Sequence, residues 1–279
     1  MRYTGLSYNP RGVALPIPLK EWAKARCTQK VQHVKNRMRV LISIFFWFMA
    51  GILTVGVFLG ALFCATVLYP FDRKRKLAHT CGFWWSDCLA VINPFWSLKI
   101  SGLENIDKNK VYVLVANHQS MADIVVVYKT RVQFKWVAKD ALYKIPIFGW
   151  TMMLMKYMRL ARGEFGSIKD VYGQAALWLR DGVSVLFFPE GTRANSEEMG
   201  PFKNGAFKLA VKEQVPVLPF YIGGAREIFR KGSWIFKGRA DCTLRVLPPV
   251  DTSSYGVRDF VRLRDDVRNR LLAEREKEK

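Results

Sequence analysis

The chain has 279 residues, half of them hydrophobic, and its 44 Lys or Arg against 23 Asp or Glu give a formal charge of +21. That length accommodates one globular domain of about 180 residues plus a membrane-associated segment. The charge excess fits nucleic acid or an anionic membrane equally, but no recognised nucleic-acid-binding fold accompanies it, and the uncharged run described below favours the membrane. Cys27, Cys64, Cys81, Cys88 and Cys242 are scattered and odd in number, which argues against a disulfide framework. None of the three histidines pairs with a cysteine at ligand spacing, so no metal is expected.

Residues 1–39 form a basic arm with nine Lys or Arg against one acid, Glu21. Pro10, Pro16 and Pro18 interrupt its first part, and a short helix is predicted near Glu21 to Met38, lying on anionic headgroups or solvated as an ordinary tail. His33 sits here among charges, without a carboxylate partner nearby in sequence.

A membrane-associated segment follows over residues 40–96. Val40 to Leu68 is 29 residues without a charge, longer as a straight helix than the roughly 30 Å hydrocarbon core. The positive region before it is too long for a cleaved signal peptide. Basic residues flank both ends, Arg26 to Arg39 and Arg73 to Lys76, and the positive-inside rule draws both to the cytoplasm. Gly51, Gly56 and Gly60 would let the run dip in and return; a straight span is the alternative. Leu77, Cys81, Trp84, Cys88, Val91 and Phe95 then recur at helical spacing, predicting an amphipathic helix over residues 72–93. Trp84, Trp85 and Trp96 suit an interfacial position, and packing wholly on the globular domain is the simpler reading.

Residues 97–250 alternate in the manner of an α/β domain. Strands are predicted at 97–101, 111–116, 134–138, 157–160, 183–188, 215–221 and 243–247, with helices near 123–129, 148–155, 167–180 and 204–213. In the third of these helices Ser167 and Asp170 read as a capping box, Ile168, Val171, Ala175 and Leu179 as the apolar stripe, and Gly182 follows the end. Residues 251–279 close the chain with a charged helix, read as a solvated face.

Two stretches carry the chemistry. In VYVLVANHQSMADI, Val111 to Ile124, a buried strand is followed at once by Asn117 and His118, and Asp123 comes five residues later, where its carboxylate can fold back on the imidazole. A carboxylate beside a histidine fixes the tautomer and makes the other nitrogen a better base, able to take a proton from a substrate hydroxyl. In VSVLFFPEGTR, Val183 to Arg193, a second buried strand ends in Pro189, Glu190, a glycine turn and Arg193. Glu190 would accept from a substrate hydroxyl, or pair with an arginine and shape the turn. Gly191 lets backbone approach a ligand, and Thr192 can donate to phosphate.

NHQSMAD (Asn117 to Asp123) together with FPEGTR (Phe188 to Arg193) resembles the glycerophospholipid acyltransferase family, and most of all its bacterial 1-acylglycerol-3-phosphate members. MRLAR (Met158 to Arg162) and VPVLPF (Val215 to Phe220) agree more loosely, and the likeness covers roughly Ser101 to Val250. It implies a mixed central sheet flanked by helices, preceded by a membrane-embedded helical segment. It also implies transfer of an acyl group from acyl carrier protein or acyl-CoA to the sn-2 hydroxyl of lysophosphatidate, giving phosphatidic acid with no resident cofactor. His118 would be the base and Asp123 its support, with backbone N–H groups of the loop from Asn117 receiving the oxyanion. Guanidinium forks suit phosphate, so Arg193, Arg159 and Arg162 are candidates for the acceptor's headgroup, with Lys139 as a nearby point charge. Lys203 and Gly205 look like the family's lysine and glycine after the turn. Ile145 to Met155, with its methionines and aromatics, would serve as an acyl groove, as ordinary core, or as a second contact with the bilayer. Another lysolipid acceptor, a transacylase of the tafazzin type, or an inactive membrane scaffold are the competing readings. The catalytic domain is expected on the cytoplasmic face of the cell's inner membrane.

Overall fold

The structure is a computed structural model that describes residues 6–8, 14–16, 19–161, 163, 165–193, 198–228, 233–236 and 238–278. It divides into two compact units, Met1–Phe45 and Phe46–Lys279. In the first, β1 (Leu6–Tyr8) pairs antiparallel with β2 (Ala14–Pro16), and helix α1 (Leu19–Thr66) begins. The short separate helix expected at 21–38 is absent, because α1 runs on without interruption. Nothing between Leu19 and Ala50 breaks it, since that stretch has neither proline nor glycine. Ser43, Thr54 and Thr66 return their hydroxyls to the carbonyl four residues back, a bond helices tolerate. Arg26–Thr66 is long and apolar enough to cross a membrane. Gly51, Gly56 and Gly60 all lie inside the helix, with no loop at which it would turn back.

In the second unit, α2 (Lys76–Ile92) starts four residues later than the pattern predicted. Asp72 is the reason: its carboxylate accepts the N–H groups of Lys76, Leu77 and Ala78 at 2.6, 3.1 and 3.2 Å, capping the helix instead of joining it. The buried face of α2 is Ala78, His79, Gly82, Phe83, Ser86 and Leu89. Of the stripe read from the sequence, Leu77, Trp84 and Val91 point outward, with Val91 83% exposed. One side packs on the domain and the other presents tryptophan and aliphatic surface, so the helix is not packed wholly on the domain.

A seven-stranded mixed sheet follows, in the order β3-β9-β8-β4-β7-β5-β6. Its members are β3 (Trp96–Ser101), β4 (Val113–Ala116), β5 (Phe134–Lys139), β6 (Met158–Leu160), β7 (Ser184–Phe187), β8 (Val217–Gly223) and β9 (Ala240–Val246). Neighbouring strands are parallel except β8 and β9, so β8, β4, β7, β5 and β6 share one direction. Alternate residues feed opposite cores: Leu114, Leu186, Leu218 and Phe220 face one, and Val113, Val115, Val185 and Val217 the other. Burial on both sides is why these strands read as unbroken apolar runs.

The first core is covered by α2, by α3 (Asp123–Tyr128), by α5 (Phe148–Leu154) and by the last turns of α1; the second by α6 (Phe165–Arg180), α7 (Gly205–Glu213) and α8 (Phe260–Glu276). A one-turn helix, α4 (Asp140–Tyr143), links β5 to α5. Two expectations are corrected. Helix α6 already runs at Phe165, so Ser167 is not its cap; its hydroxyl accepts the Ala161 N–H at 2.8 Å, and Ile168 is 40% exposed, while Val171, Ala175 and Leu179 are buried as predicted. Nor is α8 merely a solvated face, for Leu263, Val267 and Leu271 are each fully buried.

Candidate active site

Val115 and Phe187 are register partners in the parallel pair β4–β7, so the residues that follow them leave the sheet side by side. Those residues are Asn117 and His118 on one strand and Phe188 to Glu190 on the other, at the carboxyl edge where open α/β sheets gather their chemistry. Asn117 does not reach into the site. Its side-chain amide donates to the Ile222 carbonyl and accepts the Ile222 N–H, both at 2.8 Å, which fastens the end of β4 to β8.

His118 Nδ1 lies 2.7 Å from Asp123 Oδ2. The carboxylate, fully buried at the start of α3, also accepts the N–H groups of Gln119 at 2.6 Å and Ser120 at 2.9 Å. Three donors converge on one oxygen, so Nδ1 carries the proton and Nε2 is the nitrogen left with a lone pair. Asp123 Oδ1 is buried without a hydrogen-bond partner among the described residues. Phe188 stacks on the imidazole at 4.4 Å between centroids, 28° from parallel, and the histidine side chain retains 24% exposure.

Glu190 does something the sequence did not suggest. It accepts backbone amides, His118 N–H on Oε1 at 2.8 Å and Gly200 N–H on Oε2 at 3.0 Å, and among the described residues no ion pair joins it to an arginine. Burial raises its carboxyl above the ordinary range, opposed by those two N–H donors. The amides of residues 118, 119 and 120 are therefore all engaged, on the carboxylates of Glu190 and Asp123.

After Glu190 the chain turns on Gly191, whose φ of 69° is left-handed and whose N–H bonds the Phe188 carbonyl at 2.9 Å. A Cβ there would lie 2.8 Å from Lys203 Nζ, so the lysine side chain occupies the space the glycine leaves. Lys203 N–H also closes onto the Pro189 carbonyl at 2.9 Å. Thr192 is exposed and Arg193 partly so, on the turn that Glu190 anchors. Gly205 opens α7 under Tyr172; a Cβ there would fall 1.5 Å from its hydroxyl.

Lys139 ends β5 and Arg159 is the middle residue of the parallel neighbour β6, in register with Ala138, so both sit toward the same edge as His118. Arg159 pairs with Asp140 and lies 5.9 Å from the Tyr143 ring, with its side chain 56% exposed. Hydrogen bonds from Lys144 and Arg159 hold the Asp140 carboxyl below its usual range. Arg162 lies outside the described residues.

An apolar cavity of about 40 Å³ lies against α3, the helix that Asp123 begins. Ile124, the residue after Asp123, lines it with Tyr128, Trp136, Met152, Met155 and Tyr157. The 145–155 segment is thus split by its helical period: Met152 and Met155 face the cavity, whereas Ile145, Trp150 and Met153 point outward and are about half exposed. Among the described residues no group of three or more His, Cys, Asp or Glu side chains is arranged to hold a metal ion.

With this geometry in view, comparison with known proteins is informative. The family profile described as "Acyltransferase" matches residues 97–223. The chloroplastic 1-acyl-sn-glycerol-3-phosphate acyltransferase of Brassica napus is 31% identical over 265 residues, 94% of this chain and 75% of that protein. The corresponding Arabidopsis thaliana protein is 35% identical over 72% of this chain, which spans 55% of that relative's length. Among solved structures, the 1-acyl-sn-glycerophosphate acyltransferase of Thermotoga maritima superposes with a TM-score of 0.74 at 28% identity, covering 88% of this chain and 96% of the other.

Proposed function

Since the chain belongs to the glycerophospholipid acyltransferase family, we propose that this acyltransferase moves a fatty acyl group from a thioester to the sn-2 hydroxyl of 1-acylglycerol-3-phosphate, forming phosphatidic acid. The observation that carries the reading is the 2.7 Å contact of His118 Nδ1 with Asp123 Oδ2, which leaves Nε2 as a base in a partly open site.

In the reaction, Nε2 of His118 takes the proton of the acceptor hydroxyl as its oxygen bonds to the thioester carbon. The tetrahedral intermediate collapses, the carbon–sulfur bond breaks, and the departing thiolate recovers the proton from the imidazolium. Asp123 steadies the positive ring between these transfers. Arg193, on the turn after Glu190, binds the acceptor phosphate with Lys203 and Lys139 nearby, and the cavity behind Ile124 receives an acyl chain. Acyl carrier protein and acyl-CoA both supply the required thioester. The apolar length of α1 supports attachment to a membrane, and the basic stretch Arg73 to Lys76 that follows it supports a catalytic domain on the cytoplasmic face.

The test is product identification. Protein purified in detergent is given labelled lysophosphatidate with each thioester donor in turn, and labelled phosphatidic acid is the expected product. Acyl transfer between two phospholipids without any thioester would overturn the reading.

A further inference from the structure

The last helix reaches the site from outside the segment that the family profile matches. Arg268, on α8, donates from Nε to the Gly200 carbonyl at 3.2 Å and from a terminal nitrogen to the Met199 carbonyl at 3.0 Å. The Met199 carbonyl and the Gly200 N–H belong to one peptide unit. That N–H is the donor to Glu190 Oε2 at 3.0 Å, and Glu190 Oε1 accepts from His118 N–H at 2.8 Å. A guanidinium on the carbonyl end polarises the amide and strengthens the bond its N–H makes, as in any hydrogen-bonded chain within a medium of low polarity. Met199 is buried, Glu190 is 8% exposed, and a Cβ on Gly200 would come 3.2 Å from Glu190 Oε2, so the relay is tightly enclosed. One turn earlier, Arg264 fixes Asn204 at the start of α7 through a 2.7 Å bond to its side-chain oxygen.

We propose that Arg268 is a positioning residue for the acyl transfer, holding the Met199–Gly200 peptide against Glu190 so that Glu190 keeps the His118 backbone in register with Asp123. The proposal rests on the reading of His118 as the base. Arg268 itself touches neither dyad residue; its effect passes through one amide and one carboxylate.

The experiment is a double-mutant cycle on the full chain in detergent, with lysophosphatidate and a thioester donor. It compares the wild type, Arg268→Met, Glu190→Gln and the double variant, together with Arg268→Lys. Arg268→Met is expected to lower kcat about tenfold, with both KM values held within about twofold, and to lower kcat by less than about twofold once Glu190 is already Gln, because residues in one network do not act additively. Arg268→Lys, which keeps a charged donor for the two carbonyls, should recover most of the loss. Equal fold losses in both backgrounds, or an unchanged kcat in Arg268→Met, would overturn the relay. Where Arg268→Met does not fold, Arg268→Gln takes its place in the same cycle under the same criteria. A wild type that acylates a different lysolipid overturns only the acceptor assignment, and the cycle is then read with that lysolipid.

Discussion

The backbone amide of His118 and the carboxylate of Glu190 meet at 2.8 Å, joining two strand ends that are 72 positions apart in the chain. Glutamine at 190 can accept only one of the two amides, because its NH₂ end must face the other N–H. A hydrogen bond to a charged group contributes about 1.5–3 kcal/mol, so Glu190→Gln should lower kcat by about tenfold to a hundredfold. Initial rates at saturating acceptor and donor measure it, and an unchanged kcat would remove Glu190 from the machinery.

His118→Ala should reduce turnover by about 10²- to 10⁴-fold, the usual span for loss of a general base. Thermal unfolding of this variant should stay close to the wild type, since the ring is partly exposed and its bonds lie at a loop. Asp123→Asn differs, because one buried oxygen now accepts three donors. It should lose activity and also about 1–3 kcal/mol of stability, read by denaturant titration.

The cationic residues at the sheet edge should separate in kinetics. Arg193→Ala is expected to raise KM for lysophosphatidate about tenfold or more, by loss of one charge-assisted contact, while kcat stays within a few-fold. Arg159→Ala should have the smaller effect, since its guanidinium already pairs with Asp140. Equal KM changes in the two variants would count against Arg193 as the main phosphate ligand.

Gly205→Ala should be destabilising without touching the dyad. The added methyl would fall 1.5 Å from the Tyr172 hydroxyl and 2.1 Å from its ring carbon, so the ring must move. Overpacking of this kind costs about 1–3 kcal/mol, visible as a lower thermal midpoint. Tyr172→Ala in the same chain should remove most of the added penalty.

Lys135 predicts a pH dependence of stability. It is 1% exposed, bonded through Nζ to the Met155 carbonyl at 2.7 Å and 4.9 Å from the Trp178 ring, and burial lowers its amine to about 7. The unfolded chain keeps that proton up to the ordinary lysine range while the folded chain releases it near neutrality, so the unfolded state binds more protons between the two values. Stability should therefore rise as pH increases from about 7 toward 10. Lys135→Met lacks this contribution; the difference between wild type and variant, followed by denaturant midpoint from pH 6 to 10, should narrow or change in that sense, and a pH-independent difference would contradict it.

Much of this fold was legible in the sequence, because fully buried parallel strands leave apolar runs such as Val183 to Phe187 that punctuation at both ends makes plain. The dyad spacing was legible too, since five residues of turn are enough to bring Asp123 back to His118. What escaped was every relationship made through backbone atoms: Glu190 accepting two amides, and the Met199–Gly200 peptide serving Arg268, involve partners with no side-chain signature. Ser167 misled for a related reason, since its hydroxyl serves the Ala161 amide rather than the helix it resembles a cap for. On α2 the apolar positions were read correctly as a face, but hydropathy does not say whether such a face turns toward protein or away. Here the smaller residues, Ala78, Gly82 and Ser86, pack inward because they let α2 approach its neighbours closely, as Gly82 does against Tyr128.

That choice has a practical result. Phe71, Trp84 and Val91 remain 71–89% exposed on the unit that carries the dyad, so greasiness is not confined to the first helix. Trimming the chain at Thr66 to obtain a water-soluble enzyme would leave these side chains in place and strip the cover from Cys81 and Trp85, which lean on Gly60 and Thr54. Such a truncation would clump in aqueous buffer as readily as the parent, and only an amphiphile shielding α2 would keep it dispersed.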